Sequence, residues 1–272
     1  CQNHLEAVAE FELMLQSAKF GDAGKKVVVE DFLTGIELSV FVLTDGKNYL
    51  MLPEAKDYKR IGVGDSGLMT GGMGAVSPVP FATPGFMHKV EERIIKPTVD
   101  GLFKEGIEYT GFIFFGLINV NGDPYVIEYN CRLGDPETEV VIPRMETDLV
   151  GLCVAACNKE LHMVVVRTDE RAAATVVAVS KGYPGYFEKG LEITGLEGKY
   201  GKQSMVFQAG TKEQDGKIVT NGGRVFCVTS FGHDIEEAVN TSLDVLEYIE
   251  FEDMYYRTDI GYEFMPQTPK GV

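Results

Sequence analysis

The sequence predicts an α+β protein in two parts, and three observations carry that reading. Strand-like runs are joined by hairpin turns, most plainly at Asn121-Gly122-Asp123-Pro124, where Asn-Gly accepts the positive φ values such turns need. Amphipathic stretches with apolar residues at helical spacing stand between the runs, over 5–17, 85–105 and 235–249. The character changes around 166–171, after which short strands and Gly-rich turns lead to the last helix. The expected bounds are 1–168 for the first part, 169–264 for a small α+β C-terminal domain and 265–272 for a loose tail. A chain of 272 residues suits two domains of about 100–200 residues each.

Taken in order, Leu5, Val8, Ala9, Phe11, Leu13, Met14 and Leu15 make 5–17 an amphipathic helix, and 20–25 a Gly-containing loop. Lys26-Val27-Val28-Val29-Glu30 reads as a strand, because β-branched residues favour extended backbone. Asp31-Phe32-Leu33-Thr34-Gly35 turns into a strand over 36–43, which Thr44-Asp45-Gly46-Lys47 returns over 49–52. Residues 57–78 are rich in glycine and lack periodicity, so they read as a long loop, a type usually functional where it is ordered. The helix over 85–105 contains Pro97, which marks a kink or a new first turn. Strands over 111–120 and 126–130 form the hairpin named above. Residues 149–157 form an apolar helix on which Cys153 and Cys157 share a buried face. Residues 172–180, 205–209 and 225–230 are strands, with turns at Gly182-Tyr183-Pro184-Gly185-Tyr186 and, between the last two strands, Thr220-Asn221-Gly222-Gly223-Arg224.

Composition narrows the function. The formal net charge of −16 argues against nucleic acid as a general partner and requires basic residues to gather wherever an anion binds. No apolar run approaches the roughly 20 residues that span a bilayer. Cys1, Cys131, Cys153, Cys157 and Cys227 are odd in number and show no paired framework, which points to a reducing cytoplasm. No His/Cys cluster has the spacing of a zinc site.

The chemistry concentrates in Glu128-Tyr129-Asn130-Cys131-Arg132-Leu133-Gly134-Asp135-Pro136-Glu137. On a strand, alternate side chains share a face, so Glu128 and Asn130 point one way and Ile127 and Tyr129 the other. A carboxylate beside an amide oxygen suits a hard cation such as Mg²⁺, which keeps waters and bridges to phosphate. Arg132 follows at the strand's end, where a guanidinium can clamp a phosphate or a developing anion. Asp135, Glu137 and Glu139 add acid. The same spacing also fits a plain hairpin whose polar residues face water. In the loop over 57–78, glycines at 62, 64, 67, 71, 72 and 74 allow backbone N–H groups close approach to an anion, and Lys59 and Arg60 add positive charge.

The segment from Glu128 to Thr138 resembles the metal-binding segment of the phosphoribosylamine–glycine ligase (glycinamide ribonucleotide synthetase) family of the ATP-grasp superfamily. Phe20-Gly21-Asp22-Ala23-Gly24, Asp57-Tyr58-Lys59-Arg60, Thr70-Gly71-Gly72-Met73-Gly74-Ala75, Tyr109-Thr110-Gly111-Phe112, Gly182-Tyr183-Pro184-Gly185, Ala209-Gly210-Thr211 and Thr220-Asn221-Gly222-Gly223-Arg224 follow in that family's order over nearly the whole chain. Tyr58, where many members have His, and Leu68-Met69, where they have Pro-Asn, depart from the pattern.

The resemblance implies an ATP-grasp C-terminal lobe with part of the N-terminal lobe, followed by the C-terminal domain. It implies an enzyme of purine biosynthesis that uses ATP and Mg²⁺ (or Mn²⁺) to join glycine to 5-phosphoribosylamine through a glycyl phosphate. Glu30, Asp31, Phe32 and Leu33 would meet adenine and Glu37 the ribose, with Arg60, Gly71 and Gly72 on the phosphate side. Glu128 and Asn130 would hold the metal, and Arg132, Asp135 and Lys59 would serve the chemistry, Asp135 either orienting Arg132 or holding the amine. The family's nucleotide-binding-like first domain and its Gly-Lys loop over the phosphates do not precede Phe20, so the expectation is a C-terminal portion whose partner is the N-terminal domain of the same protein. Two other readings use the same residues: a catalytically inactive nucleotide-binding fragment, and another ATP-grasp carboxylate–amine ligase.

Overall fold

The computed structural model describes residues 3–16, 21–22 and 26–266. The chain divides into two compact units, Cys1–Thr34 and Gly35–Val272. In the first, α1 (His4–Gln16) forms where the apolar spacing predicts it. Asn3 Oδ1 caps its start by accepting from the Glu6 N–H at 2.9 Å. The strand expected over 26–30 is not formed, and Val28, Val29 and Phe32 are exposed. Valine favours extended backbone, but a strand also needs a ladder, and no strand pairs with this run among the described residues. Cys1, Phe20, Ala23, Gly24, Lys25 and residues 267–272 of the expected tail lie outside the described residues.

The second unit holds β1 (Ile36–Thr44), β2 (Tyr49–Met51), β3 (Lys56–Asp57), β4 (Arg60–Gly62), β5 (Ser66–Met69), β6 (Gly74–Ser77), β7 (Gly111–Val120), β8 (Asp123–Asn130), β9 (Ala172–Val179), β10 (Ser204–Gln208), β11 (Thr211–Gln214), β12 (Lys217–Thr220) and β13 (Arg224–Gly232). Among the described residues they form a four-stranded sheet in the order β2-β1-β7-β8, a five-stranded sheet β10-β13-β9-β6-β3, and two ribbons, β4-β5 and β11-β12. Every pairing is antiparallel, as the hairpin turns predict. The β7–β8 turn has positive φ at both Asn121 and Gly122.

Helix α2 (Pro84–Val90) is capped by Thr83 and runs through a π-turn over Glu91–Ile95 into α3 (Lys96–Lys104). Pro97 lacks an N–H and its ring crowds the carbonyl one turn back, and the wider π-turn just before it absorbs both effects. Leu38, Val40, Val42, Ile113, Phe115 and Leu117 bury one face of the four-stranded sheet against Phe86, Val90, Ile94 and Ile95 of this helical run. At one end of the other face, Phe41 and Phe114 pack with Val140 and Val141 of α4 (Thr138–Arg144). The five-stranded sheet packs on α6 (Ile235–Leu246), capped by Asp234.

Three expectations need correction. Residues 57–78 are not one loop: they contain β4, β5 and the fully buried β6, which pairs with β9. Strands of two to four residues are too short to show a period. The five-stranded sheet therefore takes strands from both sides of the boundary expected at 168/169. Thr220-Asn221-Gly222-Gly223-Arg224 links β12 to β13 rather than β10 to β13, because the β11–β12 hairpin intervenes. Cys153 and Cys157, on α5 (Leu149–Cys157), are exposed, and Leu152, Ala155 and Ala156 are the residues that face the core.

Native protein treated with a maleimide should therefore label at Cys131, Cys153 and Cys157 within minutes, with Cys227 reacting only after denaturation, as mapped by peptide mass spectrometry. Protection of Cys153 and Cys157 in the native state would contradict the placement of α5.

Candidate active site

The site is built on one face of the four-stranded sheet. Strand register puts Ser39, Gly116 and Glu128 in one row across β1, β7 and β8, and Phe41, Phe114 and Asn130 in the next. Residues directly opposite share a face, as do residues two apart on a strand. Glu37, Ser39, Glu128 and Asn130 therefore all project from the face opposite α2 and α3. A β-bulge at Ile127 makes this possible. Val126 and Tyr129 are an odd number of residues apart yet both pack toward the helix side, Val126 with its partner Leu117 and Tyr129 edge-on to Phe115. The extra residue restores the phase. Gly116 leaves room for the carboxylate stem, since a Cβ there would lie 2.9 Å from Glu128 Cγ.

Asn130 Nδ2 donates to Glu128 Oε1 at 3.1 Å. Amide orientation is assigned from the hydrogen-bond network, and a half-turn of the amide sets two oxygens side by side. That donor set fits a hard divalent cation completed by water and phosphate, as Mg²⁺ or Mn²⁺ would be. No group of three or more His, Cys, Asp or Glu residues able to hold a metal occurs among the described residues.

Lys59 bridges Glu37 Oε2 and, at 2.9 Å, Asp57 Oδ1. Burial works to lower the pKa of its ammonium, but Asp57 and Glu37 outweigh burial and hold it above the ordinary lysine value. Glu37, Asp57, Lys59 and Arg60 line a cavity of about 530 Å³ together with Tyr58 and Glu263. Its far wall is anchored by the C-terminal segment. Tyr58, at the position that departs from the family pattern, is buried and donates to Glu263 Oε2 at 2.7 Å, and Lys56 pairs with Glu263 at 2.8 Å.

Glu137 is buried and accepts from Ser39 Oγ at 2.8 Å. Burial, and then the nearby Asp57 carboxylate, push its pKa up to about 7, with Ser39 and Lys59 opposing. Arg132 is exposed, and its Nη1 donates to the carbonyl of Leu133 at 2.9 Å. Asp135 does not pair with Arg132. Its carboxylate is held by Arg224, Nη1 to Oδ1 at 2.9 Å and Nη2 to Oδ2 at 3.0 Å. The Gly71 and Gly72 amides, expected to face phosphate, are already engaged, donating to Tyr183 OH and Thr70 Oγ1 at 3.0 Å each. Gly72 is required by close packing, since a Cβ there would meet Pro136 Cδ at 2.4 Å.

Comparison with known proteins bears on what this arrangement belongs to. Residues 1–138 match the family model for the phosphoribosylglycinamide synthetase ATP-grasp (A) domain, and residues 173–263 the model for its C domain. The chain belongs to the phosphoribosylglycinamide synthetase family. Among the chain's relatives, the phosphoribosylamine–glycine ligase of Haemophilus influenzae is 48% identical over 250 residues, covering 92% of this chain and 58% of the relative. That of Pasteurella multocida is 47% identical over 258 residues, covering 94% and 60%. The chain thus spans about 60% of the length of these relatives. A solved phosphoribosylamine–glycine ligase from Thermotoga maritima superposes with a TM-score of 0.82 at 38% identity, covering 94% of this chain and 64% of that one. The biotin carboxylase domain of 2-oxoglutarate carboxylase from Hydrogenobacter thermophilus has a TM-score of 0.66 at 17% identity over 94% of this chain and 55% of that one, and this likeness shows the shared ATP-grasp fold alone.

Within this synthetase family member the structure brings Glu37, Lys59 and Arg60 to one cavity, and Glu128 and Asn130 to the sheet face that Glu37 shares. Glu30, Asp31, Phe32 and Leu33 belong to the first unit. Sequence reasoning gave no role to Ser39, Arg224 or Tyr183. Arg224 and Tyr183 stand in family-like Gly-rich turns, which was the available signal; Ser39 offered none.

Glu137 makes stability depend on pH. Between the ordinary value of 4.5 and about 7, the folded protein keeps a proton that the unfolded chain releases, so stability falls as pH rises through that window. Glu137→Gln fixes the uncharged form. Its urea midpoint should exceed the wild-type midpoint at pH 8 and by clearly less at pH 5; parallel profiles would show that Glu137 is ionised throughout.

Proposed function

We propose that the chain carries the catalytic face of an ATP-dependent carbon–nitrogen ligase that joins glycine to 5-phosphoribosylamine, giving glycinamide ribonucleotide, ADP and phosphate. The observation that carries this is the single sheet face presenting Glu37, Glu128 and Asn130, with Lys59 paired to Glu37, in a member of this family. In the first step a glycine carboxylate oxygen attacks the γ-phosphorus and ADP leaves. In the second the amine nitrogen attacks the acyl carbon of glycyl phosphate, phosphate leaves and the nitrogen loses a proton.

Glu128 and Asn130 would hold Mg²⁺ or Mn²⁺, which draws charge from the β- and γ-phosphates. Glu37 accepts from the ribose hydroxyls, and Lys59 and Arg60 offset phosphate charge in the adjoining cavity. Arg132 has no carboxylate partner among the described contacts, so its guanidinium is available to the transferring group or the acyl-phosphate oxygens. Asp135 presents an acceptor to a substrate amino group. Gly71 and Gly72 shape the substrate side through close packing. Residue type supports Glu30, Asp31, Phe32 and Leu33 as adenine contacts through backbone groups and apolar side chains. We assign 1–168 to the ATP-grasp part and 169–264 to the C-terminal domain, supported by the two matched spans, and the reaction to the cytoplasm. No described helix is long and apolar enough to cross a membrane.

Calorimetric titration of the chain with ATP, with and without Mg²⁺, tests the reading. Magnesium-dependent binding should weaken at least tenfold in Glu128→Ala/Asn130→Ala. Equal binding by the double variant would remove the metal from this pair.

A further inference from the structure

The Gly-Tyr-Pro-Gly and Asn-Gly-Gly-Arg turns have no part in the chemistry above, yet both reach into it. They sit at the adjoining ends of β9 and β13, where Val179 pairs with Arg224. Ser180 ties them together, its N–H donating to Gly223 O at 2.8 Å and its Oγ to Gly222 O at 3.1 Å. From this base the Arg224 guanidinium makes four contacts. Two go to the Asp135 carboxylate, one from Nη1 to the Asp135 carbonyl at 3.0 Å and one from Nη1 to the Gly71 carbonyl at 2.9 Å. Tyr183 OH takes the Gly71 N–H at 3.0 Å. Both sides of the Gly71 residue are therefore held by the two turns. The fit is close, since a Cβ on Gly223 would lie 2.2 Å from Tyr183 Cδ2.

Exposure separates the roles. The Arg224 side chain is 21% exposed and the Asp135 side chain 62%. The guanidinium is tucked in and both of its Nη atoms are engaged by Asp135 and Gly71, so it acts as a strut. The carboxylate it grips by both oxygens is turned outward in a fixed orientation. A bidentate fork locks orientation in a way that a single ammonium contact cannot. Holding a reactive carboxylate from the ends of paired strands gives it the rigidity that productive geometry demands.

We propose that Arg224 and Tyr183 are positioning residues that clasp Asp135 and the Gly71 loop into one preformed acceptor for the amino-acid substrate. This rests on the ligase reading above. Arg224 acts through Asp135, so removing either should have the same consequence as removing both. Tyr183 acts through the loop, so its loss should free the Gly71 amide first.

The test follows the Gly71 and Lys59 amide cross-peaks of ¹⁵N-labelled chain during titration with glycine and, separately, with MgADP. Wild type should shift saturably with glycine at Gly71 and with MgADP at Lys59. Arg224→Met and Asp135→Asn should each weaken glycine binding at least tenfold, the double variant no further, and Arg224→Lys should recover only a minor part; MgADP affinity should be unchanged in all. Tyr183→Phe should speed Gly71 amide exchange at least tenfold. Additive losses in the double variant, or wild-type glycine affinity in a folded Arg224→Met protein, would overturn the proposal. A wild-type response to MgADP without one to glycine sinks the clasp alone. A response to neither sinks the ligase reading with it.

Discussion

Backbone pairing among β1, β7 and β8 holds Ser39, Gly116 and Glu128 in one row, and the polar face depends on that register. A slip of one residue in either pairing would exchange the faces. Glu37 or Glu128 would then point into the apolar layer under α2 and α3, and Phe115 or Leu117 into water. The apolar side thus fixes the polar one, because the residues buried against the helices leave the alternate positions no other direction. The bulge at Ile127 is the single adjustment, and it serves both sides by returning Tyr129 to Phe115 and Asn130 to the face of Glu128.

Charge on this face is balanced more tightly than the overall −16 suggests. Glu37 and Asp57 share one ammonium, and Glu137 lies beside Asp57 and accepts from the Ser39 hydroxyl. Two neighbouring carboxylates ionise together at a cost, and burial places that cost on Glu137. The face therefore carries less negative charge near neutrality than a count of its acids implies, which favours approach by phosphates. On the other flank Asp135 is matched by Arg224, which leaves Arg132 as a cation not committed to a carboxylate among the described residues.

Much of this was legible in the sequence. The Asn-Gly turn fixed the β7–β8 hairpin, and the strand period placed Glu128 beside Asn130. The bulge was not legible, since Tyr125-Val126-Ile127 contains no glycine to mark it; period-two reasoning gave the correct face for Glu128 only because the irregularity lies before it. The helix over 149–157 was found, but apolar residues all round it hid which side is covered, and the cysteines went to the exposed side. The contacts that organise the site join distant positions. Ser39 meets Glu137 across 98 residues, and Arg224 meets Gly71 across 153. One sequence without pairing information shows the residues of such contacts but not the contacts.

The central claim is that one sheet face gathers the metal pair and the ribose-side carboxylate. Paramagnetic broadening tests it most directly: Mn²⁺ with ADP is added to ¹⁵N-labelled chain and the loss of amide signal is followed along the sequence. The account predicts broadening centred on Glu128 and Asn130 that extends across the sheet to Ser39 and Glu37, while the amides of α2 and α3 stay sharp. Broadening centred on α2 and α3, or its absence at Glu128, would contradict it.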